Sequence, residues 1–172
     1  MQSIISRIAD GTGKGLVAGL VGTAAMTISS TIEMKLRGRS ASKTPAKAIC
    51  KSLGFETVSE EAQERLNNLV HWGYGTTWGA VRGVLEAIGI HGGAATLVHF
   101  ALIWAAEQIM LPKAGAAPPI TEQPVEEITI DAWHHAVYAG GTGAAYSALF
   151  SPNAGFEWGE HESPGKRTAA SK

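Results

Sequence analysis

Four long apolar stretches dominate the pattern of hydrophobic and polar positions along the chain. They cover residues of about 15–35, 69–90, 92–111 and 132–150. A helix needs roughly 20 mostly apolar residues to cross the hydrocarbon core of a bilayer. The pattern therefore predicts an all-α protein with a four-span membrane domain over residues 1–150, followed by a mobile C-terminal tail at residues 151–172.

A water-soluble four-helix bundle is the alternative interpretation of the same pattern. Helices of a soluble bundle carry a charged outer face. The first stretch has no Asp, Glu, Lys or Arg between Lys14 and Glu33, and the fourth has none between Asp131 and Glu157. Because neither stretch has a side suited to water, we expect an integral membrane four-helix bundle.

The second and fourth stretches share a short motif that suggests an internal repeat. Both read His-x-x-Tyr-x-x-x-x-Gly-Ala, beginning at His71 and at His135. The stretches before them each carry a single glutamate close to their end, Glu33 and Glu107. The bundle is therefore predicted to consist of two tandem helical hairpins, related by an axis along the membrane normal.

The composition limits the classes of partner that the chain is expected to bind. Charged residues make up 17% of the chain, against about 25% in typical soluble domains. The 21 glycines allow close helix contacts in lipid. A formal net charge of -1 gives no reason to expect a nucleic acid. The expected partner is the lipid bilayer, with other membrane-protein subunits as further candidates.

The distribution of Lys and Arg predicts an orientation. Residues 35–65, the loop between the first two stretches, are rich in both. Loops of this kind stay on the cytoplasmic side of a membrane. We therefore expect a multi-pass protein of the cell inner membrane with the 35–65 loop in the cytoplasm.

Four side chains that bear chemistry are expected at one end of the bundle: Glu33, His71, Glu107 and His135. Each glutamate closes one stretch and each histidine opens the next, so all four lie at a similar depth. Polar side chains in a bilayer turn toward the bundle interior. We expect each glutamate to lie beside a histidine. The polar core would also include three residues from within the stretches: Tyr74, Tyr138 and His99.

These expectations leave three interpretations of function. The favoured one is a membrane scaffold or accessory subunit in which the Glu-His pairs form a polar core. The second is a protein that binds a transition metal or haem through Glu33, His71, Glu107 and His135, since imidazole and carboxylate are ligands for zinc and iron. The third is a small proton-coupled transporter. The chain lacks a phosphate-binding loop and a recognisable nucleophile-base pair, so an enzyme is the less favoured class.

Several of these residues also carry a resemblance to a known family. The segment Gly-Leu-Val-Ala-Gly-Leu-Val-Gly-Thr-Ala-Ala-Met at 15–26, Glu33, the Thr44-Pro45 loop and the His-x-x-Tyr motif followed by Gly-Ala resemble small bacterial inner-membrane proteins of the YagU-like type. The resemblance covers roughly residues 15–150. It implies a multi-pass bacterial membrane protein, and it brings no established activity or catalytic residues.

Overall fold

The computed structural model describes residues 3–40, 42–55 and 59–150, and within these ranges the chain is entirely helical. This confirms the predicted all-α class, while the predicted tail at 151–172 lies outside the described residues. The helices are α1 (Ile4–Arg37), α2 (Thr44–Leu53), α3 (Glu60–Ala87), α4 (Gly92–Lys113) and α5 (Val125–Phe150), with a short 3₁₀ helix at Ile120–Glu122 before α5.

Local sequence signals account for the ends of these helices. The Ser3 side chain accepts a hydrogen bond from the backbone N–H of Ser6, and Ser59 does the same for Ala62, so each is an N-cap. Gly38 ends α1 in a left-handed conformation with a φ of 64°. Helix α5 begins directly after Pro124, several residues earlier than the predicted span at 132.

Two helices of the described chain, α1 and α4, are long and apolar enough to cross a membrane. The other two predicted spans lie in α3 and α5, which do not meet the same criterion of length and mean hydropathy. Helix α3 carries Arg82 and Glu86 within its apolar part, and α5 carries two adjacent histidines. Length and composition alone therefore support membrane association. Whether α3 and α5 also cross a membrane depends on how the helices are arranged.

The long helices lie side by side and alternate in direction. Helix α1 packs against both α3 and α5, α4 packs against α5, and α3 touches α4 more lightly. At one end of α1, the Arg7 guanidinium donates to the carbonyl oxygen of Ala87, the last residue of α3. At the other end, Arg37 reaches Glu126 and Glu127 in the first turn of α5. Helices α3 and α4 are joined by the short turn at residues 88–91.

Glycines on α1 and α3 bring these two helices into direct backbone contact. A Cβ atom on Gly79 would collide with backbone atoms of Gly15 and Gly19, and one on Gly83 would collide with the carbonyl group of Gly11. Helices whose interfaces consist of small residues approach closely enough for backbone-to-backbone packing. The glycine spacing thus fixes the tightest helix contact in the structure and determines which faces of α1 and α3 are hidden.

The interior of the structure is unusually polar. The largest side chains with almost no exposed surface are Arg82, Tyr138, His99, Thr23 and Thr142. By contrast, many large aliphatic side chains of α1 and α4 lie on the outside, for example Val17, Leu20, Ile28, Leu97 and Leu102. This is the reverse of the usual distribution in a water-soluble domain.

Candidate functional site

A group of two acidic side chains and one imidazole lies where the last turns of α4 meet the first turns of α5. Glu107 and Gln108 lie on the same face of α4 as Trp104, at spacings of three and four residues. Asp131 and His135 share a face of α5 at a spacing of four. Packing of α4 against α5 turns these two faces toward each other.

His135 lies between two carboxylate side chains. Its Nε2 atom is 2.5 Å from Oε2 of Glu107. Its Nδ1 atom is 2.9 Å from the backbone carbonyl oxygen of Asp131 and 3.4 Å from the side-chain Oδ1 of the same residue. A carbonyl oxygen can only accept a hydrogen bond, so Nδ1 carries a hydrogen and donates it. The hydrogen between Nε2 and Glu107 is then carried either by the ring, as the second N–H of an imidazolium, or by the Glu107 carboxyl group.

The carboxylate of Asp131 is held from α4. Its Oδ2 atom accepts hydrogen bonds from Nε1 of Trp104, at 2.9 Å, and from Nε2 of Gln108, at 3.0 Å. Two donors fix the orientation of this carboxylate and leave its Oδ1 atom on the side of His135. One potential ligand atom from each of Glu107, Asp131 and His135 lies within 4.8 Å of the others.

The cluster is partly shielded from its surroundings. The His135 side chain is 5% exposed, while the side chains of Glu107 and Asp131 are 22% and 32% exposed. A charge that is held away from water needs a partner, and here a single imidazole lies beside both acids. We name Glu107, Asp131 and His135 the α4–α5 cluster.

No protein-family model, curated protein or solved structure matches the chain. The resemblance to YagU-like proteins therefore stays a prediction. What the α4–α5 cluster can do has to be argued from its own geometry.

Of the four residues predicted to converge, Glu107 and His135 pair as expected, but Glu33 is held differently. Two guanidinium nitrogens of Arg39 donate hydrogen bonds to the carboxylate oxygens of Glu33, at 2.7 to 3.0 Å. A guanidinium nitrogen of Arg37 lies 3.1 Å from the same carboxylate. Each glutamate was expected to lie beside a histidine. Among the described residues Glu33 forms no hydrogen bond or ion pair with His71, and the imidazole beside it is that of His134, whose Nε2 atom lies 3.8 Å from Oε2 of Glu33. The hydrogen bond to Glu33 also raises the pKa of the Arg39 guanidinium.

His71 instead contacts α1 through Thr27. Nε2 of His71 is 3.0 Å from the hydroxyl oxygen of Thr27, which itself donates to the carbonyl oxygen of Thr23 at 2.7 Å. Because the single hydroxyl hydrogen is already donated, the Thr27 oxygen accepts from the imidazole. His71 thus ties α3 to α1, and the structure gives it no ligand partner in the α4–α5 cluster.

Of the remaining predicted polar-core residues, His99 and Tyr138 are buried and Tyr74 is partly exposed. His99 is fully buried, with Nε2 at 3.0 Å from the backbone carbonyl oxygen of Trp78 and its ring 5.4 Å from that of Tyr138. The Tyr138 hydroxyl donates to the carbonyl oxygen of Gly75 at 2.6 Å. The Tyr74 hydroxyl contacts the sulfur of Met110 at 3.9 Å. None of these three contacts involves Glu107, Asp131 or His135.

The sequence did not reveal the polar contacts of Asp131 and His134. Asp131 lies one residue before the predicted fourth span, yet its spacing of four from His135 on a helix is a signal that could have found it. His134 was expected to face outward, but its Nδ1 lies 3.0 Å from the Ser29 hydroxyl and its ring is buried between α5 and α1. No pattern in the sequence identifies Ser29 as its partner.

A second polar cluster occupies the opposite end of the long helices. The Arg82 guanidinium lies 2.5 Å from a carboxylate oxygen of Glu86 and 4.7 Å above the centre of the Tyr146 ring. The other carboxylate oxygen of Glu86 is 2.8 Å from Nδ1 of His91. Arg82 is 1% exposed, so its charge is compensated inside the structure rather than by water.

Proposed function

We propose that the chain is a multi-pass membrane protein in which α1, α3, α4 and α5 all span the bilayer, and that it acts as a scaffold or accessory subunit for other membrane proteins. The observation that carries this proposal is the reversed distribution of polarity. Arg82, His99 and Thr142 are almost completely buried, whereas aliphatic side chains cover the outside of α1 and α4. Lipid, unlike water, favours this arrangement.

The alternating directions of the helices support four spans rather than two. Helices α1 and α4 are apolar enough to insert by themselves. Helices α3 and α5 lie alongside α1 over much of its length and carry no Asp, Glu, Lys or Arg at 66–81 and 132–150. If α1 crosses the bilayer, its neighbours must lie at the same depth. Their polar groups, such as Thr142 and His135, face inward and do not have to meet lipid.

The aromatic and basic residues at one end of the long helices support an orientation in the membrane. Trp133 and Trp72 are exposed at the same end as the basic 35–65 segment. Tryptophan is enriched at the level of the lipid headgroups, and Lys and Arg remain on the cytoplasmic side. These features support the proposal that residues 35–65 lie in the cytoplasm and that the turn between α3 and α4 lies on the other side of an inner membrane.

A scaffold function fits the chemistry of the interior better than catalysis does. The buried polar groups mostly bond to each other or to the backbone: His71 to Thr27, Tyr138 to Gly75 and Arg82 to Glu86. Such contacts tie neighbouring helices together and orient them. The aliphatic outer faces of α1 and α4 remain available to lipid or to the helices of a partner subunit.

Single-cysteine labelling tests the four-span arrangement. The chain has one cysteine, so Cys50→Ala gives a cysteine-free background. Ser42→Cys, Gly93→Cys and Glu122→Cys then place exposed thiols at the α1–α2 connection, the start of α4 and the turn before α5. Sealed membrane vesicles are treated with a maleimide that does not cross membranes, before and after lysis.

Four spans predict that positions 42 and 122 label from the same side and that position 93 labels from the opposite side. If only α1 and α4 cross the membrane, positions 42 and 93 lie on one side and position 122 on the other. Labelling of all three positions from either side, or extraction of the protein by alkaline carbonate, would contradict membrane insertion.

A further inference from the structure

We propose that Glu107, Asp131 and His135 bind one divalent transition-metal ion, and that Zn²⁺ suits this set of ligands best. Zn²⁺ is bound in proteins by imidazole nitrogens and carboxylate oxygens, and a site with three protein ligands leaves the fourth tetrahedral position to water or a substrate. One potential ligand atom from each of the three residues already lies within 4.8 Å of the others. The proposal goes beyond the membrane function and does not depend on it.

The hydrogen bonding of His135 prepares its other nitrogen for a metal. Nδ1 donates to the backbone carbonyl oxygen of Asp131 at 2.9 Å. Histidines that ligate metals almost always donate their second ring N–H to a carbonyl or carboxylate, which fixes the ring and the tautomer. Nε2 is left directed at the Glu107 carboxylate, on the side where an ion would lie.

The neighbours of Asp131 prepare its carboxylate in the same way. Trp104 and Gln108 both donate to Oδ2. Hydrogen bonds of this kind hold a ligating carboxylate in one orientation. Oδ1, which accepts no hydrogen bond from these donors, is then free to coordinate. The two donors come from α4 and the carboxylate from α5, so the site draws on both helices.

The α4–α5 cluster contains one more carboxylate than an ion pair with His135 requires. Glu107 alone would satisfy His135, yet a second carboxylate lies 3.4 Å from the other side of the same ring. Two acids close together in a partly shielded site repel each other unless positive charge is supplied. A divalent cation supplies it, whereas one protonated imidazole balances only one of the two carboxylates.

Binding an ion requires both carboxylates to move. Nε2 of His135 and Oε2 of Glu107 are now 2.5 Å apart. Two tetrahedral zinc ligands at their usual bond lengths lie roughly 3.3 Å from each other. A change in the Glu107 side-chain torsions provides this separation, and Oδ1 of Asp131, now 3.4 Å from Nδ1 of His135, has to turn toward the Nε2 side. The side chains of Glu107 and Asp131 are 22% and 32% exposed, so neither is locked in a fully packed interior.

The test uses full-length, untagged protein purified in detergent and stripped with a chelator. It is titrated with Co²⁺, a probe whose visible absorption reports tetrahedral coordination, and then with Zn²⁺ as competitor. We expect about one Co²⁺ per chain and its displacement by Zn²⁺. Asp131→Asn and Glu107→Gln should each weaken Co²⁺ binding by at least about tenfold, because each removes a charged ligand.

Glu126→Gln is the matched control. It makes the same change of charge on the same helix as Asp131, but its carboxylate contacts Arg37. Its affinity for Co²⁺ should equal that of the wild type. The titration of the wild type needs no variant to fold, so absence of Co²⁺ uptake there overturns the proposal. Equal binding by wild type, Asp131→Asn and Glu107→Gln overturns it as well. Neither result affects the labelling test of membrane topology.

Discussion

The Nε2 atom of His135 lies 2.5 Å from a carboxylate oxygen of Glu107, and this contact joins α5 to the end of α4. Both groups are largely shielded, so water cannot easily replace the hydrogen bond between them. Contacts between α4 and α5 are fewer than those between α1 and its neighbours. A strong polar contact is therefore important for holding α4 in place.

We predict that Glu107 and His135 are energetically coupled in chelator-treated protein. A double-mutant cycle with Glu107→Gln and His135→Gln should give a coupling free energy of about 1–3 kcal/mol, as found for residues that share one hydrogen-bonded network. Unfolding in detergent, followed by circular dichroism, gives the required free energies. The exposed pair Arg65 and Glu61 is the control, and its coupling should not exceed about 0.5 kcal/mol. Additive effects at Glu107 and His135 would contradict the prediction.

The second prediction concerns the glycine contact between α1 and α3. Gly79→Ala should destabilise the protein by about 1–3 kcal/mol, because the added methyl group collides with the backbone of α1 at Gly15 and Gly19. Gly73→Ala is the control on the same helix, where an added Cβ meets no atom within 4 Å. That change should be neutral or stabilising by up to about 1 kcal/mol. Thermal unfolding of both variants provides the measurement, and an equal loss in the two would refute the close approach.

The sequence predicted that the four apolar stretches are helical because a run of about 20 apolar residues is a local signal. Helices α1 and α5 begin before these stretches, at Ile4 and Val125, where the sequence is more polar. The pairing of Glu107 with His135 could also be predicted, since the end of one helix and the start of the next share a level. Here both residues lie on regular helices, and their spacing fixes the directions of the side chains.

The partner of Glu33 could not be predicted in this way. Gly38 turns the chain back in a left-handed conformation, and Arg39 thereby returns to Glu33. A helical projection shows only residues within one helix. Arg39 lies beyond the end of α1, so the projection does not show its contact with Glu33. An arginine that offers two nitrogens to one carboxylate is also a stronger partner than a histidine. The same limit applies to Asp131, whose hydrogen-bond donors come from a different helix.

The third prediction concerns the buried charge of Arg82. Glu86→Gln should cost about 2–3 kcal/mol, less than the loss of a fully buried partner because the Glu86 side chain is 27% exposed. The matched control is Glu61→Gln, which breaks an exposed pair of the same spacing on the same helix and should cost no more than about 0.5 kcal/mol. Combining Arg82→Met with Glu86→Gln should recover part of the loss in a thermal-unfolding assay. A double variant that is less stable than Glu86→Gln would show that Arg82 is not the source of the cost.

The fourth prediction concerns the way α3 holds the short helix α2. The residue before α2, Lys43, provides no side-chain cap. Instead, the Asn67 side chain of α3 accepts a hydrogen bond from the backbone N–H of Ala46, at 3.2 Å, and donates to the carbonyl oxygen of Ser42, at 2.9 Å. An amide from another helix thus does what an N-cap residue does within its own helix.

Asn67→Ala should therefore free the start of α2 while leaving the long helices unchanged. A lost cap costs about 1 kcal/mol, which corresponds to roughly fivefold faster amide hydrogen exchange over residues 44–53 if these amides exchange by local opening. Hydrogen exchange followed by mass spectrometry measures this segment separately from α1 and α5. Asn68→Ala, at the exposed position next to it, is the control and should leave the exchange unchanged. Equal exchange in both variants would mean that α2 is held by its packing on α3 and not by the Asn67 amide.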